Sequence, residues 1–308
     1  MGQDTRVFVL APEAWRAWRA HLEARLPADA EWRPVPYARF SVKADGTVLT
    51  FYQSGKVVLQ GAGLDGFVQR YLDGLERDEA AAAEEPGLSF DAPTAGSDET
   101  GKGDYFGPLV VAAVFAAPTE HDTLRGLGVA DSKTLSDARC LRIAEHLERG
   151  FATRVVSLPP QEYNRRITAA GNVNRLLAAL HAEALGGLLA AHPEIRTVVV
   201  DRFADDHVIL TAFRAAGLAI GGTGGPAFVH TPRGERHPVV AAASIVARAH
   251  FLEGLKRCEE DSGCELHKGA GAPVDAAGRK VLAVGGMDLL ARVAKLHFAN
   301  TRKIRGGS

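Results

Sequence analysis

The sequence has few cysteines, almost no net charge and no long apolar segment. Three cysteines, Cys140, Cys258 and Cys264, are too few for a disulfide framework, and the first residues lack a leader pattern, so we expect a reducing, cytoplasmic location. Lys and Arg total 36 against 37 Asp and Glu, so any surface for a polyanion must be local. The apolar run at 108–117 is shorter than a membrane span, which excludes a membrane protein.

The chain is long enough for two folded domains, at 308 residues. Apolar side chains from Trp15 to Leu26 recur at helical spacing, β-rich runs over 40–59 are broken by turn dipeptides, and a second helix follows around Phe67. After a linker that contains Pro and Gly, strands and helices alternate, which is typical of an α/β domain with a central sheet flanked by helices. The predicted boundaries are 1–85 for the small domain, 86–93 for the linker and 94–308 for the α/β domain.

The densest chemical signal is Gly-Ser-Asp-Glu-Thr-Gly-Lys-Gly-Asp-Tyr-Phe-Gly-Pro at 96–108. Its adjacent acids, Asp98 and Glu99, precede an apolar strand, where two carboxylates are costly unless something neutralises them. A divalent cation such as Mg²⁺, which prefers oxygen ligands, is one candidate, and a polar glycine-rich turn is the alternative. Asp201, at the end of a Val-Val-Val strand, and Glu235, just before a helix, can join this pair, although helix capping or a dipole contact is the alternative for each.

Residues 96–102 also match the first seven positions of the phosphate-binding loop G-x-x-x-x-G-K-[ST]. The eighth position is Gly103, which has no hydroxyl for Mg²⁺, and the two acids would repel phosphates. An enzyme that binds a nucleoside triphosphate is therefore the weaker alternative. A module that binds nucleic acid without chemistry is a third, because 279–305 carries seven Lys or Arg against one acid, a net charge of +6.

Several motifs occur together and in the order found in the type 2 ribonucleases H, which the sequence resembles over nearly its whole length. They are 96–108, Asp-Ser-Lys-Thr-Leu-Ser at 131–136, Val-Val-Asp-Arg-Phe at 199–203 and Pro-Val-Val-Ala-Ala-Ala-Ser-Ile-Val-Ala-Arg at 238–248. Two more segments resemble the ribonuclease HIII branch and its TBP-like substrate-binding domain. They are Lys-Leu-His-Phe-Ala-Asn-Thr at 295–301 and Ser-Gly-Lys-Val-Val-Leu-Gln-Gly at 54–61.

This resemblance implies a ribonuclease H-like α/β catalytic domain, with a central mixed sheet flanked by helices, and a small N-terminal α+β TBP-like domain. It implies an endonuclease that hydrolyses the RNA strand of RNA/DNA hybrids with two Mg²⁺ or Mn²⁺ ions, leaving 5′-phosphate and 3′-hydroxyl ends. The implied metal ligands and catalytic residues are Asp98, Glu99, Asp201 and Glu235. Glu235 is one residue short of the family spacing, so Glu253 is the alternative for the fourth acid.

The implied partner is an RNA/DNA hybrid, and we expect no membrane, no obligate protein partner and a monomer. Ribonuclease HII has Gly-Arg-Gly where this chain has Gly101-Lys102-Gly103, and Lys does not reproduce the planar fork of Arg, so incision at single ribonucleotides is the alternative activity. Glycine backbone can approach the 2′-hydroxyl that distinguishes RNA. The predicted nucleic-acid contacts are Gly101, Lys102, Gly103, Tyr105, Ser132, Lys133, Asn172 and Asn174, and, in the N-terminal domain, Tyr37, Phe40, Lys43, Tyr52, Gln53 and Lys56. Helix capping is the alternative for the two asparagines.

Overall fold

The chain divides into two compact units, Met1–Pro86 and Gly87–Ser308, in a computed structural model. The residues that the structure describes are 5–10, 12–35, 38–53, 55–61, 63–73, 75, 91–129 and 135–306.

The N-terminal unit is a five-stranded antiparallel sheet with two helices packed on one face. Its elements are β1 (Thr5–Val9), α1 (Trp15–Arg25), β2 (Glu31–Arg33), β3 (Ala38–Ala44), β4 (Thr47–Tyr52), β5 (Lys56–Gly61) and α2 (Leu64–Tyr71). The strand order is β1-β5-β4-β3-β2, so β4 lies at the centre between β5 and β3. Alternation along the strands buries Val42, Leu49 and Phe51 under Trp18 and Leu22 of α1. The predicted meander corresponds to β3, β4 and β5, whereas the edge strands β1 and β2 were not predicted.

The turn between β3 and β4 has the backbone that tight hairpins require. Asp45 and Gly46 both have positive φ, at 46° and 71°, which matches the right-handed twist of the two strands. The Asp45 carboxylate accepts hydrogen bonds from the Tyr71 hydroxyl at 2.7 Å and from Arg70 at 2.8 Å. These contacts fasten the end of α2 to the hairpin.

The larger unit is built on a mixed sheet, as the family resemblance implies. Its strand order is β10-β9-β6-β7-β8, with β6, β7 and β8 antiparallel and with β9 and β10 parallel to β6. The elements are β6 (Thr94–Thr100), β7 (Leu109–Ala116), α3 (His121–Gly126), α4 (Asp137–Gly150), β8 (Ala152–Leu158), α5 (Pro160–Ala170), α6 (Val173–Ala191), β9 (Thr197–Asp201), α7 (Asp206–Ala215), β10 (Ala227–Thr231), α8 (Pro238–Ser262), α9 (Ala272–Val293) and α10 (Ala299–Ile304).

Helices cover both faces of this sheet and bury it. One face packs against α3, α4, α8, α9 and α10, and the other against α5, α6 and α7. The helix α8 is long and apolar enough to cross a membrane, but 72% of its most apolar window is buried inside the unit, which is typical of a core helix. It approaches β6 closely, because a Cβ added to Gly96 would lie 2.6 Å from a methyl group of Val239. The glycine is therefore a packing requirement of the β6–α8 contact.

Two interpretations of the sequence do not match the structure. The alternative of a polar glycine-rich turn at Gly96 is wrong, because Thr94–Thr100 forms the central strand β6 with neighbours on both sides. The basic segment 279–305 does not present all of its cations, because Lys295 is completely buried.

Candidate active site

Two acids come together where parallel strands end side by side. Ser97 of β6 is paired with Val200 of β9, so the next residues, Asp98 and Asp201, are neighbours just beyond the last pair of the two strands. In a parallel pair these side chains project from the same face of the sheet, which here is the α8 face. The sequence-based expectation that Asp201 follows its strand is met by β9 ending at Asp201.

Asp98 is held in surroundings that disfavour its charge. Burial, and then repulsion from Glu99 with a smaller contribution from Asp201, raises the pKa of Asp98 from 3.8 to about 7. Hydrogen bonds from the Ser244 hydroxyl and from the Glu99 backbone N–H, the latter at 2.7 Å, oppose this rise only partly. A group with a strongly raised pKa beside other acids is a candidate for a functional site.

Glu99 projects from the opposite face of β6, because successive strand residues alternate. One carboxylate oxygen lies 3.3 Å from Nε2 of His181 on α6, and the other lies 3.8 Å from the ammonium of Lys102. Its side chain is 12% exposed. The adjacent acids of the motif are thus oriented by different helices, Asp98 by α8 and Glu99 by α6.

Asp201 is fixed by the segment that follows β10. Its carboxylate accepts a hydrogen bond from the backbone N–H of Gly234 at 2.8 Å. A Cβ at position 234 would lie 3.0 Å from Cα of Asp201, so this close approach favours glycine. Glu235 follows directly in the short 3-10 turn Gly234–Arg236 and is partly buried there.

Glu253, the alternative to Glu235, lies elsewhere. It is exposed on α8, nine residues beyond Ser244, which is roughly 13 Å along the helix axis. It lines a shallow surface cavity together with Leu141 and Glu145 of α4. The turn beside Asp201 therefore contains Glu235, and the surface between α4 and α8 contains Glu253.

Within the described part of the chain, no three His, Cys, Asp or Glu side chains already converge in the geometry of a metal site. The carboxylates instead form hydrogen bonds with groups of the protein. Asp98 accepts from the Glu99 amide, Asp201 accepts from the Gly234 amide, and Glu99 is bonded to His181. An all-oxygen set of crowded carboxylates nevertheless fits the ligand preference of Mg²⁺ and Mn²⁺.

A loop runs from the end of β6 to β7. Gly101 has φ +96°, and a Cβ there would lie 2.3 Å from the carbonyl oxygen of Pro108, so the tight bend requires glycine. Gly103 is exposed and faces open space. Lys102 is half-buried, with its ammonium 5.5 Å from the centre of the Phe203 ring. Backbone and a cation are thereby presented beside the acids.

Lys295 anchors this loop from the interior of the larger unit. Its buried ammonium donates to the carbonyl oxygens of Asp104 at 2.8 Å, Phe106 at 3.3 Å and Gly107 at 2.6 Å. Burial lowers the pKa of Lys295 to about 7. Three carbonyl acceptors match the three donors of an ammonium group, so this lysine is an internal anchor of the loop and not a phosphate contact.

Two predicted nucleic-acid contacts are wrong. Tyr105 is completely buried, and its hydroxyl forms a hydrogen bond with Thr301 at 3.0 Å, so its ring is part of the core. Phe40 is 6% exposed and packs against Phe51 on the helix-covered face of the N-terminal sheet. The sequence does not show on which face of β3 Phe40 lies, because a bulge interrupts the register between Ala38 and Phe40.

The other predicted contacts have varied positions. Asn172 caps α6, with its side-chain oxygen accepting from the Arg175 N–H at 2.9 Å, and Asn174 is partly buried in the first turn. In the N-terminal unit Lys43 and Gln53 are exposed and Tyr52 is half-buried. Tyr37, Ser132 and Lys133 lie outside the described residues, as does the side chain of Lys56.

Sequence reasoning missed His181, Ser244, Gly234 and Lys295. His181 leaves no signal in the sequence, because its partners Glu99 and Ser97 are 82 and 84 residues away. Gly234 adjoins Glu235 and Ser244 lies in a quoted motif, but neither the amide contact nor the hydroxyl contact leaves a pattern in a single sequence.

A family model described as Ribonuclease HII matches residues 95–301, and one described as a domain of unknown function, DUF3378, matches residues 18–83. A ribonuclease HIII of Protochlamydia amoebophila is 36% identical over 271 residues, covering 88% of this chain and 87% of that protein. A ribonuclease HIII of Streptococcus agalactiae is 35% identical over 270 residues, covering 87% and 88% respectively.

Solved structures agree with these matches. The crystal structure of Bst-RNase HIII in complex with Mn²⁺ is 31% identical, with a TM-score of 0.65 and coverage of 98% of both chains. The structure of Aquifex aeolicus RNase H3, at 22% identity and a TM-score of 0.55, shares the fold.

Proposed function

We propose a function on the premise that the chain belongs to the ribonuclease HII family and, within it, to the ribonuclease HIII branch. The chain is a type 2 ribonuclease H, an endonuclease that hydrolyses the RNA strand of RNA/DNA hybrids by the two-metal mechanism general to the family. Its larger unit has the ribonuclease H-like fold, and the small N-terminal sheet is consistent with a TBP-like domain.

The proposed metal ligands are Asp98, Glu99, Asp201 and Glu235, with Mg²⁺ or Mn²⁺ as the ions. The observation that supports this most directly is the pKa of Asp98, raised to about 7 because burial and neighbouring acids oppose its ionisation. A divalent cation removes that opposition, since the same crowded oxygens become favourable ligands. Glu253 is not included, because it is exposed on α8, well beyond Ser244, which contacts Asp98.

Bound cations would activate a water molecule for in-line attack on the scissile phosphate and stabilise the departing 3′-oxygen. The protein residues contribute orientation: Ser244 and the Gly234 amide hold Asp98 and Asp201 on one face of the sheet end. The attack would leave 5′-phosphate and 3′-hydroxyl ends. The ionised acids can only accept hydrogen bonds, so a backbone phosphate needs a cation, and Lys102, 3.8 Å from Glu99, can serve as one.

We propose that the loop over Gly101 and Gly103 contacts the RNA strand through its backbone. The open space around Gly103 leaves room for a ribose to approach, and the 2′-hydroxyl can bond to backbone groups that DNA cannot engage. In the N-terminal unit, the sheet face opposite to the helices carries Lys43 and Tyr52, which can contact phosphate and sugar. Asn174 at the start of α6 is a further proposed contact.

A triphosphate-binding enzyme is not proposed, because residues 94–100 form a strand and a phosphate loop must curl around its ligand. We propose a cytoplasmic location, supported by three cysteines that are free thiols, and a monomer. Size-exclusion chromatography with light scattering measures the oligomeric state directly.

The test uses one short labelled RNA/DNA hybrid with Mg²⁺, with Mn²⁺ and with chelator, and a companion DNA duplex that carries a single ribonucleotide. We expect metal-dependent cleavage of the hybrid and not of the companion. Cleavage of the companion would instead support specificity like that of ribonuclease HII. Tight binding without cleavage under any metal would contradict the nuclease function.

Matched variants test the residues. Asp98→Asn and Glu235→Gln should each lower kcat about 100-fold or more, which corresponds to about 3 kcal/mol of transition-state stabilisation. Glu253→Gln makes the same chemical change at the exposed acid on α8 and should leave kcat unchanged. If Glu253→Gln lost activity while Glu235→Gln kept it, the assignment of the fourth acid would be wrong.

A further inference from the structure

His181 is a buried polar side chain in a helix made mostly of Leu and Ala. It lies in the middle of α6 with no exposed surface. Both ring nitrogens have partners on β6: Nδ1 lies 2.8 Å from the Ser97 hydroxyl, and Nε2 lies 3.3 Å from the Glu99 carboxylate. Burying an imidazole is costly unless its nitrogens are bonded, so the ring is held in place by these two contacts.

The chemistry of the partners fixes the direction of the hydrogen bonds. An ionised carboxylate only accepts, so Nε2 of His181 carries the proton and donates to Glu99. In the neutral ring Nδ1 is then the acceptor, and it accepts from the Ser97 hydroxyl. The chain of bonds runs from Ser97 through the ring to Glu99: the carboxylate sets the tautomer, and the Ser97 hydroxyl, which can donate or accept, satisfies Nδ1 and holds the ring in place.

The same ring also contacts the end of the neighbouring strand. Its face stacks on Phe203 with ring centres 4.9 Å apart and planes 9° from parallel. Phe203 follows Asp201 by two residues, so His181 is in contact with the exits of both β6 and β9. His181 therefore contacts both Glu99 and the segment that directly follows Asp201.

We propose that His181 is a positioning residue that directs the Glu99 carboxylate toward the metal ions. Ser97 and Glu99 project from the α6 face of β6, whereas the bonds from Ser244 to Asp98 and from Gly234 to Asp201 lie on the α8 side and do not orient Glu99. This role rests on the proposed metal site. Partners that orient metal ligands typically change metal affinity by 10–100-fold when they are removed.

The experiment measures Mn²⁺ binding to the full chain by isothermal titration calorimetry, without nucleic acid. His181→Leu keeps a side chain of similar size and removes the donor, and we expect its Kd for Mn²⁺ to rise about tenfold or more. His181→Gln places an amide N–H near the position of Nε2 and should keep Kd within about threefold of wild type. Ser97→Ala removes the partner of Nδ1 but keeps the Nε2 donor, so its Kd should fall between the two.

Leu185→Ala is the control for structural damage. Leu185 is buried one turn further along α6. Its truncation leaves a cavity that lowers Tm, and it keeps the bond between His181 and Glu99. We expect Leu185→Ala to keep the Kd of wild type, and His181→Leu to keep the wild-type KM for the hybrid at saturating metal. An unchanged KM in His181→Leu, together with recovered Mn²⁺ affinity in His181→Gln, distinguishes a positioning role from general loosening of the fold.

The outcomes distinguish this inference from the proposed function. If folded His181→Leu binds Mn²⁺ as wild type does while Asp98→Asn does not, the positioning role is wrong and the metal site stands. If Leu185→Ala weakens binding as much as His181→Leu, or if His181→Gln weakens it fully, the effect is structural and the role is also wrong. If the wild type binds no Mn²⁺, the proposed site fails and the role of His181 fails with it.

Discussion

The raised pKa of Asp98 predicts that the acid destabilises the metal-free fold at neutral and alkaline pH. Replacement by Asn mimics the protonated acid and removes the charge that burial and Glu99 oppose. The gap between 3.8 and about 7 corresponds to about 4 kcal/mol at 1.36 kcal/mol per pH unit. Because repulsion is shared with the neighbouring acids, we expect Asp98→Asn to be about 2–4 kcal/mol more stable than wild type at pH 8.

The sign follows from proton binding. The folded state holds the Asp98 proton up to about pH 7, whereas the unfolded chain releases it near 3.8, so the stability that the protonated acid provides is present below 3.8 and is lost as pH rises through about 7. The stability difference between Asp98→Asn and wild type should therefore be small near pH 4 and grow to its full size above pH 7.

Urea denaturation in chelator at pH 5, 6, 7 and 8 measures this difference, and contributions from distant groups cancel between the two proteins. Adding Mg²⁺ should reverse the order, because a ligand that binds only the folded wild type stabilises it. An Asp98→Asn variant no more stable than wild type at pH 8, or a difference that does not change with pH, would refute the reasoning.

The remaining predictions concern packing and backbone around the site. Gly96→Ala should lower the free energy of unfolding by about 1–3 kcal/mol in urea titrations, because the added methyl group meets the first turn of α8 at 2.6 Å; an unchanged midpoint would contradict that packing. Lys295→Met should cost about 2–4 kcal/mol in the same measurement, since three buried carbonyls lose their donor, and it should raise KM for the hybrid as the loop loosens. Arg233→Gly should raise Tm, by the equivalent of about 1 kcal/mol, because Arg233 has φ 61° and glycine adopts this backbone without penalty; a lower Tm would show that the arginine side chain stabilises the turn. Tyr105→Phe should lower the free energy of unfolding by about 1 kcal/mol, because its hydrogen bond to Thr301 is lost, and should leave KM for the hybrid unchanged. A raised KM would show that Tyr105 contacts the substrate after all.

Much of the fold could be predicted because its signals are local. The apolar run of β7, the Val-Val-Val of β9 and the helical spacing of α1 determine their own structure. The alternation of strands and helices indicates a central sheet flanked by helices, and the family resemblance adds that this sheet is mixed. Thr94–Thr100 was harder to assign, because Gly, Ser, Asp and Glu have low strand propensity. That segment is a strand since it lies between β7 and β9, and this tertiary pairing overrides the local preference.

The acids of the candidate site could be named from motifs, but their orientation could not. That Asp98 and Glu99 project from opposite faces follows only once position 98 is known to lie in a strand. The role of Lys295 depends on a fold that brings it to carbonyls 188–191 residues earlier in the sequence. Charge counting assigned it to a phosphate-facing tail, because a single sequence does not reveal which cations are buried.

The Lys295 anchor also has a consequence for the order in which the protein becomes active during synthesis. A ribosome completes Asp98, Glu99, Asp201 and Glu235 well before it adds Lys295, and translation at about 5–20 residues per second separates these events by seconds. A nascent chain that ends before position 295 has every proposed metal ligand but no donor for the carbonyls of Asp104, Phe106 and Gly107. The loop beside the acids is thus completed late, so an incomplete translation product is not expected to cut hybrids efficiently.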